Sequence, residues 1–274
     1  MSNARKRRTS FVFVTPLLVS MILAFNVPLI LMFALSFTNP GFTFEHYETL
    51  VAQPIYMKVL GNTIRIAVIA TVVCAVIGYP LAYWISSLRP KHQVIMIAFV
   101  VIPFWVSILV RTYAWIVVLG NAGILNSFLV DIGLLEKPAR FIYNELGVII
   151  GTTNILLPFL VLPLYASMTK IDQRLIQAGE SLGATKTQIF AKIFFPLTLP
   201  ALGAGSLLVF MLTLGFFVTP AILGGGRVSM IANLLDILIN SLPKWELASA
   251  VSIILLAATL GCFWIYRRLD TLRS

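Results

Sequence analysis

Six stretches of this chain, at about 11–37, 63–87, 94–119, 148–168, 197–223 and 247–266, are each apolar for some twenty residues or more. A helix needs about 20 such residues to cross a hydrocarbon core of ~30 Å at 1.5 Å per residue. Inside lipid every backbone N–H and C=O must be satisfied within the segment, so the six runs predict six membrane-spanning helices and an all-α membrane protein. Composition agrees. Hydrophobic residues make up 59% of the 274 and charged residues 11%, whereas a water-soluble domain carries about 25% charged residues to cover its surface. The first run follows Arg5-Lys6-Arg7-Arg8 and invites a reading as a secretion signal. A signal core, however, has only about 7–15 apolar residues before a small-residue cleavage site. This run is longer and contains Pro16 and Pro28, so it reads as a first span.

The net charge of +10 ordinarily points to nucleic acid or another acidic partner. Location decides otherwise. With the N-terminus in the cytoplasm, the inner segments hold Arg5, Lys6, Arg7, Arg8, Arg89, Lys91, Lys170, Arg174, Lys186, Lys192, Arg267, Arg268 and Arg273. Those are thirteen of the twenty basic residues, against three acids, Asp172, Glu180 and Asp270. The other seven bases and seven acids fall on the outer side. The entire excess therefore sits on one face, which sets topology by the positive-inside rule. Both termini are expected in the cytoplasm, the membrane is the partner, and no nucleic acid is implied.

The longest inner connection, 170–196, is polar yet carries helical spacing. Asp172 is placed to cap a helix with Leu175, Ile176 and Leu182 as its apolar positions. Gly183 then provides a turn where positive φ is cheap. Thr185 and Gln188 have the spacing of a capping box, and a second helix carries Ile189, Phe190, Ile193 and Phe194 on one stripe before stopping near Pro196. An apolar stripe on a water-facing loop needs a cover. The pattern leaves two covers open, the base of the chain's own bundle or another protein.

The order Gln177-Ala178-Gly179, then Gly183-Ala184, Ile193 and Pro196, resembles the EAA loop of binding-protein-dependent ABC importer permeases. Gln177 stands where that family usually has Glu, and Gly179 where it has a second Ala. The likeness covers almost the whole chain, and "IPFWVSILVRTYAW", "ILLPFLVLPLYASM" and "GFFVTPAILGGG" resemble the spermidine/putrescine-type subfamily in particular. The resemblance implies a type I ABC importer permease (MetI-like) fold, a single transmembrane domain over 1–274 in the bacterial inner membrane, with the loop as a cytoplasmic coupling helix. It implies three kinds of partner: ABC ATPase subunits, a second permease subunit, homologous or identical, and a periplasmic solute-binding protein. The coupling contacts are then expected from Gln177, Ala178, Gly179, Leu182, Gly183, Ala184, Ile189, Phe190, Ile193 and Pro196. The expected cargo is a polyamine-like organic cation; an opine, a phosphonate or an amino-acid derivative carried by the same machinery is the alternative.

Other residues narrow the chemistry. The chain has no GxxxxGK[ST] phosphate loop, so ATP and Mg²⁺ are expected on a partner subunit, with no cofactor and no enzyme activity here. His46, His92, Cys74 and Cys262 are too scattered for a metal or catalytic site. A cation-coupled secondary transporter would be expected to carry an acid in mid-membrane, and none is seen. Arg111 is the most embedded base, suited either to snorkelling or to the substrate path. Trp105, Tyr113 and Trp115 suit interfacial anchoring or stacking on a cation. Pro220 and the glycines at 224–226 interrupt the fifth run, making Thr219–Gly224 a candidate gate. The stretch 230–240 reads as an amphipathic helix, with Asp236 on its polar stripe beside Asn233 and Asn240. There it either wets the outer surface or attracts a cation.

Overall fold

The computed structural model describes the backbone of residues 2–39 and 41–271, and side chains for 14–38 and 41–268. The side chains of the basic run 5–8 and of Asp270 lie outside the described residues, as does Arg273. In chain order the helices are α1 (Ser2–Leu35), α2 (Glu45–Ala52), α3 (Pro54–Ser87), α4 (Pro90–Val101), α5 (Ile108–Leu119), α6 (Ile124–Asp131) and α7 (Glu145–Met168). Then follow α8 (Gln173–Ser181), α9 (Lys186–Ile189), α10 (Phe195–Leu214), α11 (Val218–Leu223), α12 (Ile231–Asp236) and α13 (Trp245–Thr271). Extended pairing among the described residues is limited to two-residue strands, Thr38–Asn39 against Gly41–Phe42. Six helical stretches are long and apolar enough to cross a membrane: Val14–Leu35, Pro54–Ser87, Ile108–Asp131, Glu145–Met168, Lys186–Leu214 and Trp245–Arg268.

Three expectations need correction. The run 94–119 is not one helix: α4 passes into a 3₁₀ turn, Ile102–Trp105, and regular helix resumes only at Ile108. Pro103 lacks the N–H for an α-helical bond and its ring crowds the preceding turn, so the α-helix gives way there. The second correction concerns Pro196. The chain does not stop there; Lys186 to Leu214 is continuous helix through a π turn at Phe190–Phe194. Phe195 N–H bonds to Phe190 O, five residues back, and this widened turn admits the proline into the first turn of α10. Third, the fifth run breaks at Gly215–Phe217 rather than at Pro220. Pro220 sits in the first turn of α11, where a missing N–H costs nothing.

The chain groups into two compact sets. The first takes residues 1–56 and 235–257. Here the Phe37 ring meets Phe33, Phe42, Phe44 and Tyr47 at centroid distances of 5.1–5.5 Å, and Tyr47 Oη donates to Ser36 Oγ at 2.9 Å. This cluster closes the end of α1, whose apolar side chains from Val14 to Leu31 are almost all exposed. The second set takes residues 57–234 and 258–274, and its core lies around α7. Leu160, fully buried, is held between two glycines. A β-carbon on Gly78 would lie 2.5 Å from Leu160 Cδ2, and one on Gly205 3.4 Å from Leu160 Cα. Small residues thus let α3 and α10 close on α7, as packing between membrane helices requires.

Candidate functional site

The loop between α7 and α10 is built by local rules. Asp172 Oδ1 accepts from Arg174 N–H at 2.9 Å and caps α8. The helix ends in a Schellman turn: Gly183 has φ +77°, its N–H reaches Glu180 O at 2.9 Å, and Ala184 N–H reaches Gly179 O at 3.0 Å. Thr185 and Gln188 then form the expected capping box, with Gln188 N–H on Thr185 Oγ1 at 3.3 Å and Thr185 N–H on Gln188 Oε1 at 2.9 Å. The two helices close on a glycine. A β-carbon at Gly179 would lie 3.0 Å from Ile193 Cδ1 and 3.3 Å from Ile189 Cγ1, which explains why the smallest residue stands there.

The apolar stripe is covered only in part by the chain itself. Ile189 is 6% exposed and Phe194 8%. The rings of Phe190 and Phe194 meet Tyr83 edge-on at 5.2 and 5.0 Å, and Phe190 also meets Tyr79 at 6.3 Å. Of the expected coupling contacts, Phe190 therefore faces the chain's own bundle, while Ile189 and Ile193 close on Gly179 of α8 within the hairpin. Leu182 does neither: it is 88% exposed, beside the open Gly183 and with exposed Gln177 and Ala178 on the preceding turns. Pro196 is exposed at the foot of α10.

Residues missed in the sequence clasp together the helices on which this hairpin rests. Tyr79 Oη and Thr198 Oγ1 are 2.8 Å apart, joining α3 to α10. Gln93 Nε2 donates to Ser86 O and Leu88 O at 3.0 and 2.9 Å, and its Oε1 accepts from Tyr165 Oη at 3.0 Å. Tyr79 and Tyr83, four residues apart on α3, were the available signal. Between clasp and hairpin lies a cavity of 440 Å³, with Ser86, Gln173, Glu180 and Lys186 among its lining.

At the far end of the same set, α11 packs on α7 through another close approach. A β-carbon on Gly151 would meet Leu223 Cδ1 at 2.5 Å and Thr219 Cγ2 at 2.7 Å. Thr219 and Pro220 are buried, and among the described residues Thr219 Oγ1 has no hydrogen-bond partner, nor do Thr152 Oγ1 and Asn233 Oδ1. Arg111 lies in the first turn of α5, and the break before it removes the depth expected from an unbroken helix. Its Nε and Nη1 are buried without a partner among the described residues. Trp115, one turn on, donates from Nε1 to Asn154 Oδ1 at 3.4 Å. Tyr113 projects from the opposite side of α5 and is exposed, while Trp105 is 84% exposed on the 3₁₀ turn, so these aromatic residues do not gather into one cage. In the first set, Asp236 Oδ1 accepts from Asn240 Nδ2 at 2.7 Å; a π turn, Ile237–Ser241, continues α12.

The connections at that end are firmly held. Buried Asn126 donates to Gly120 O and Ala139 O at 2.8 and 3.0 Å and accepts from Ala139 N–H at 2.8 Å. Asn144 caps α7, accepting from Gly147 N–H at 2.9 Å while donating to Arg140 O at 2.6 Å. Tyr143 stands at φ +59°, a conformation costing about 1–3 kcal/mol in a non-glycine residue, with its N–H on Leu223 O at 2.8 Å.

Comparison with known proteins agrees with this architecture. A spermidine/putrescine transport system permease protein, PotB of Haemophilus influenzae, is 38% identical over 254 residues, covering 90% of this chain and 88% of its own. PotB of Escherichia coli K12 is 36% identical over 237 residues, covering 85% and 86%. In fold, the chain is similar to one from a bacterial alginate ABC transporter crystallised in complex with an alginate pentasaccharide-bound periplasmic protein. Their TM-score is 0.83 at 18% identity, over 97% of this chain and 95% of that one. Residues 75–273 match the family described as the binding-protein-dependent transport system inner membrane component. With that match covering most of the chain, and with six apolar helices and a capped loop between the fourth and fifth, the protein belongs to this family of multi-pass inner membrane permeases and is the permease subunit of an ABC importer.

Proposed function

We propose that the chain moves a polyamine such as spermidine or putrescine from periplasm to cytoplasm, driven by ATP hydrolysis on separate ABC ATPase subunits that hold the nucleotide and Mg²⁺. The identity to PotB over nine-tenths of the chain supports the substrate. The one-sided basic excess supports cytoplasmic termini and a cytoplasmic 170–196 loop. The whole chain acts as one permease domain beside a second permease subunit, and a periplasmic binding protein delivers the cargo.

The exposed Leu182–Gly183 tip carries the mechanism. A leucine 88% exposed on a rigidly capped turn is an apolar knob awaiting a groove, and the ATPase subunit supplies it. The tip leads into uninterrupted helix from Lys186 to Leu214, a rod of roughly 43 Å at 1.5 Å per residue. Closure of the ATPases displaces the tip, the rod carries the movement, and Gly215–Phe217 passes it to α11 and the gate at Thr219–Gly224. Such a transition is a shear of packed helices. Gly183→Ile tests it, since a β-branched side chain at φ +77° costs roughly 1–2 kcal/mol and distorts the turn. Uptake and binding-protein-stimulated ATP hydrolysis are expected to collapse while the protein stays inserted. Normal stimulation would contradict the assignment.

A further inference from the structure

The third apolar stretch, Ile108–Asp131, is not one rod. It turns at Gly120–Gly123, where Gly123 N–H bonds Gly120 O at 2.9 Å and a β-carbon on Gly123 would lie 2.6 Å from Val117 O. The chain leaves α5 against its last turn and enters α6 in a new direction. Buried Asn126 fixes that direction through Gly120 O and both backbone groups of Ala139. At about 100° per residue, Asn126 leaves α6 on the side opposite Ile124 and Phe128. Ile124, Phe128 and Ile132 follow one another at four-residue steps, and each is more than half exposed. They cannot turn inward without breaking the Asn126 bonds.

The setting of this stripe says what covers it. From Asn121 to Leu135 the only charged residue is Asp131, and the next are Glu136 and Lys137. The stripe also begins where an exposed face of α5 ends. Val110, Tyr113 and Val117 are more than half exposed as well, at helical spacing, and Val117 abuts the Gly123 turn. That face belongs to a membrane-crossing stretch, and the two faces run together. Among the six side chains the Tyr113 hydroxyl is the one polar group. Hydrocarbon asks for no more, whereas a specific protein interface sets a polar rim around its apolar core.

We propose that α6 is a lipid anchor, lying along the leaflet at the far end of the second set. Ile124, Phe128 and Ile132 dip among the acyl chains, and Asp131, in the last turn, stands at the headgroups. The partner is the lipid surface itself, held by apolar area rather than by charge. The anchor bears on α11. Asn126 ties α6 to Ala139, and Tyr143, four residues on, bonds Leu223 O at the end of α11. The depth of α6 therefore sets the depth of that end. The inference is independent of the cargo and of which side of the membrane this end meets.

The test attaches an environment-sensitive fluorophore to Ile124→Cys, Phe128→Cys or Glu136→Cys, each in a background lacking Cys74 and Cys262. The labelled chain is assembled with its second permease and ATPase subunits in phosphatidylcholine nanodiscs. A nitroxide borne on the lipid acyl chain reports hydrocarbon contact, and aqueous iodide reports water contact. At Ile124→Cys and Phe128→Cys the lipid nitroxide should quench strongly, and iodide at least about fivefold less than at Glu136→Cys. Iodide quenching equal at all three positions would overturn the proposal, because the stripe would then face water. Protection from both quenchers at Ile124→Cys and Phe128→Cys would overturn it too, because a protein subunit would then cover the stripe. So would loss of the lipid quenching when a periplasmic binding protein is added, which would make the stripe a docking face.

Discussion

The two ends of the second helix set are held by different kinds of contact. At the loop end, the hairpin from Asp172 to Phe194 closes its own termini within a few residues: an N-cap, a Schellman turn and a capping box. At the far end short-range ties, such as the Asn144 cap, are joined by ties to the segments around α11 and α12 that are distant in sequence. Thr63 Oγ1 accepts from Ile231 N–H, 168 residues away, at 2.9 Å, and Tyr143 N–H reaches Leu223 O. Polar atoms there, Thr219 Oγ1 and Asn233 Oδ1 among them, also have no partner among the described residues. Locally closed structure keeps its shape under load, whereas long-range ties with spare hydrogen-bonding capacity can exchange partners. In the proposed cycle one end pushes and the other rearranges.

The comparison breaks most visibly if the far end proves as rigid as the hairpin. Gly151→Val places methyl groups where Leu223 and Thr219 already stand within 2.7 Å of a β-carbon, so α11 must move off α7. Transport should fall at least about tenfold, with overpacking of roughly 1–3 kcal/mol spread over the gate, while ATPase assembly at the loop end is unaffected. Uptake assays with a pull-down of the ATPase subunit check both halves. Asn126→Ala has a middle-sized effect. It leaves Ala139 N–H and two carbonyls without their partner, at roughly 1–3 kcal/mol for each buried group left unsatisfied, and should appear as faster amide exchange across 120–144. Thr185→Ala removes half the capping box for about 1 kcal/mol. Because the hairpin is also held by the Schellman turn and the Tyr83 rings, uptake should drop less than about twofold, with faster exchange confined to the first turn of α9. A larger loss would mean the hairpin is not redundantly held.

What could be read from sequence follows the same division. Asp172, Gly183 and the Thr185–Gln188 pair were legible because capping acts within four residues. That there are six spans was legible because hydropathy is a property of the run itself, although the third lies at Ile108–Asp131 rather than 94–119. Pro103 could have warned that 94–119 breaks. The break at Gly215–Phe217 could not be placed, since Pro220 offered a stronger local signal in the wrong position. Hydropathy also does not distinguish an apolar residue covered by its own bundle from one awaiting a partner. Ile189 and Leu182 look alike in the loop, and only the packing of Ile189 against Gly179 of α8 separates them.

The account turns on the Leu182 tip being the surface that an ATPase subunit covers. Leu182→Cys, in a background lacking Cys74 and Cys262, can be labelled with a water-soluble maleimide in the isolated permease and in the assembled transporter. Labelling should be fast in the permease alone and slower by at least about tenfold once the ATPase subunit is bound, since groups at the centre of an interface lose solvent access. Equal labelling rates in the two states would contradict the account.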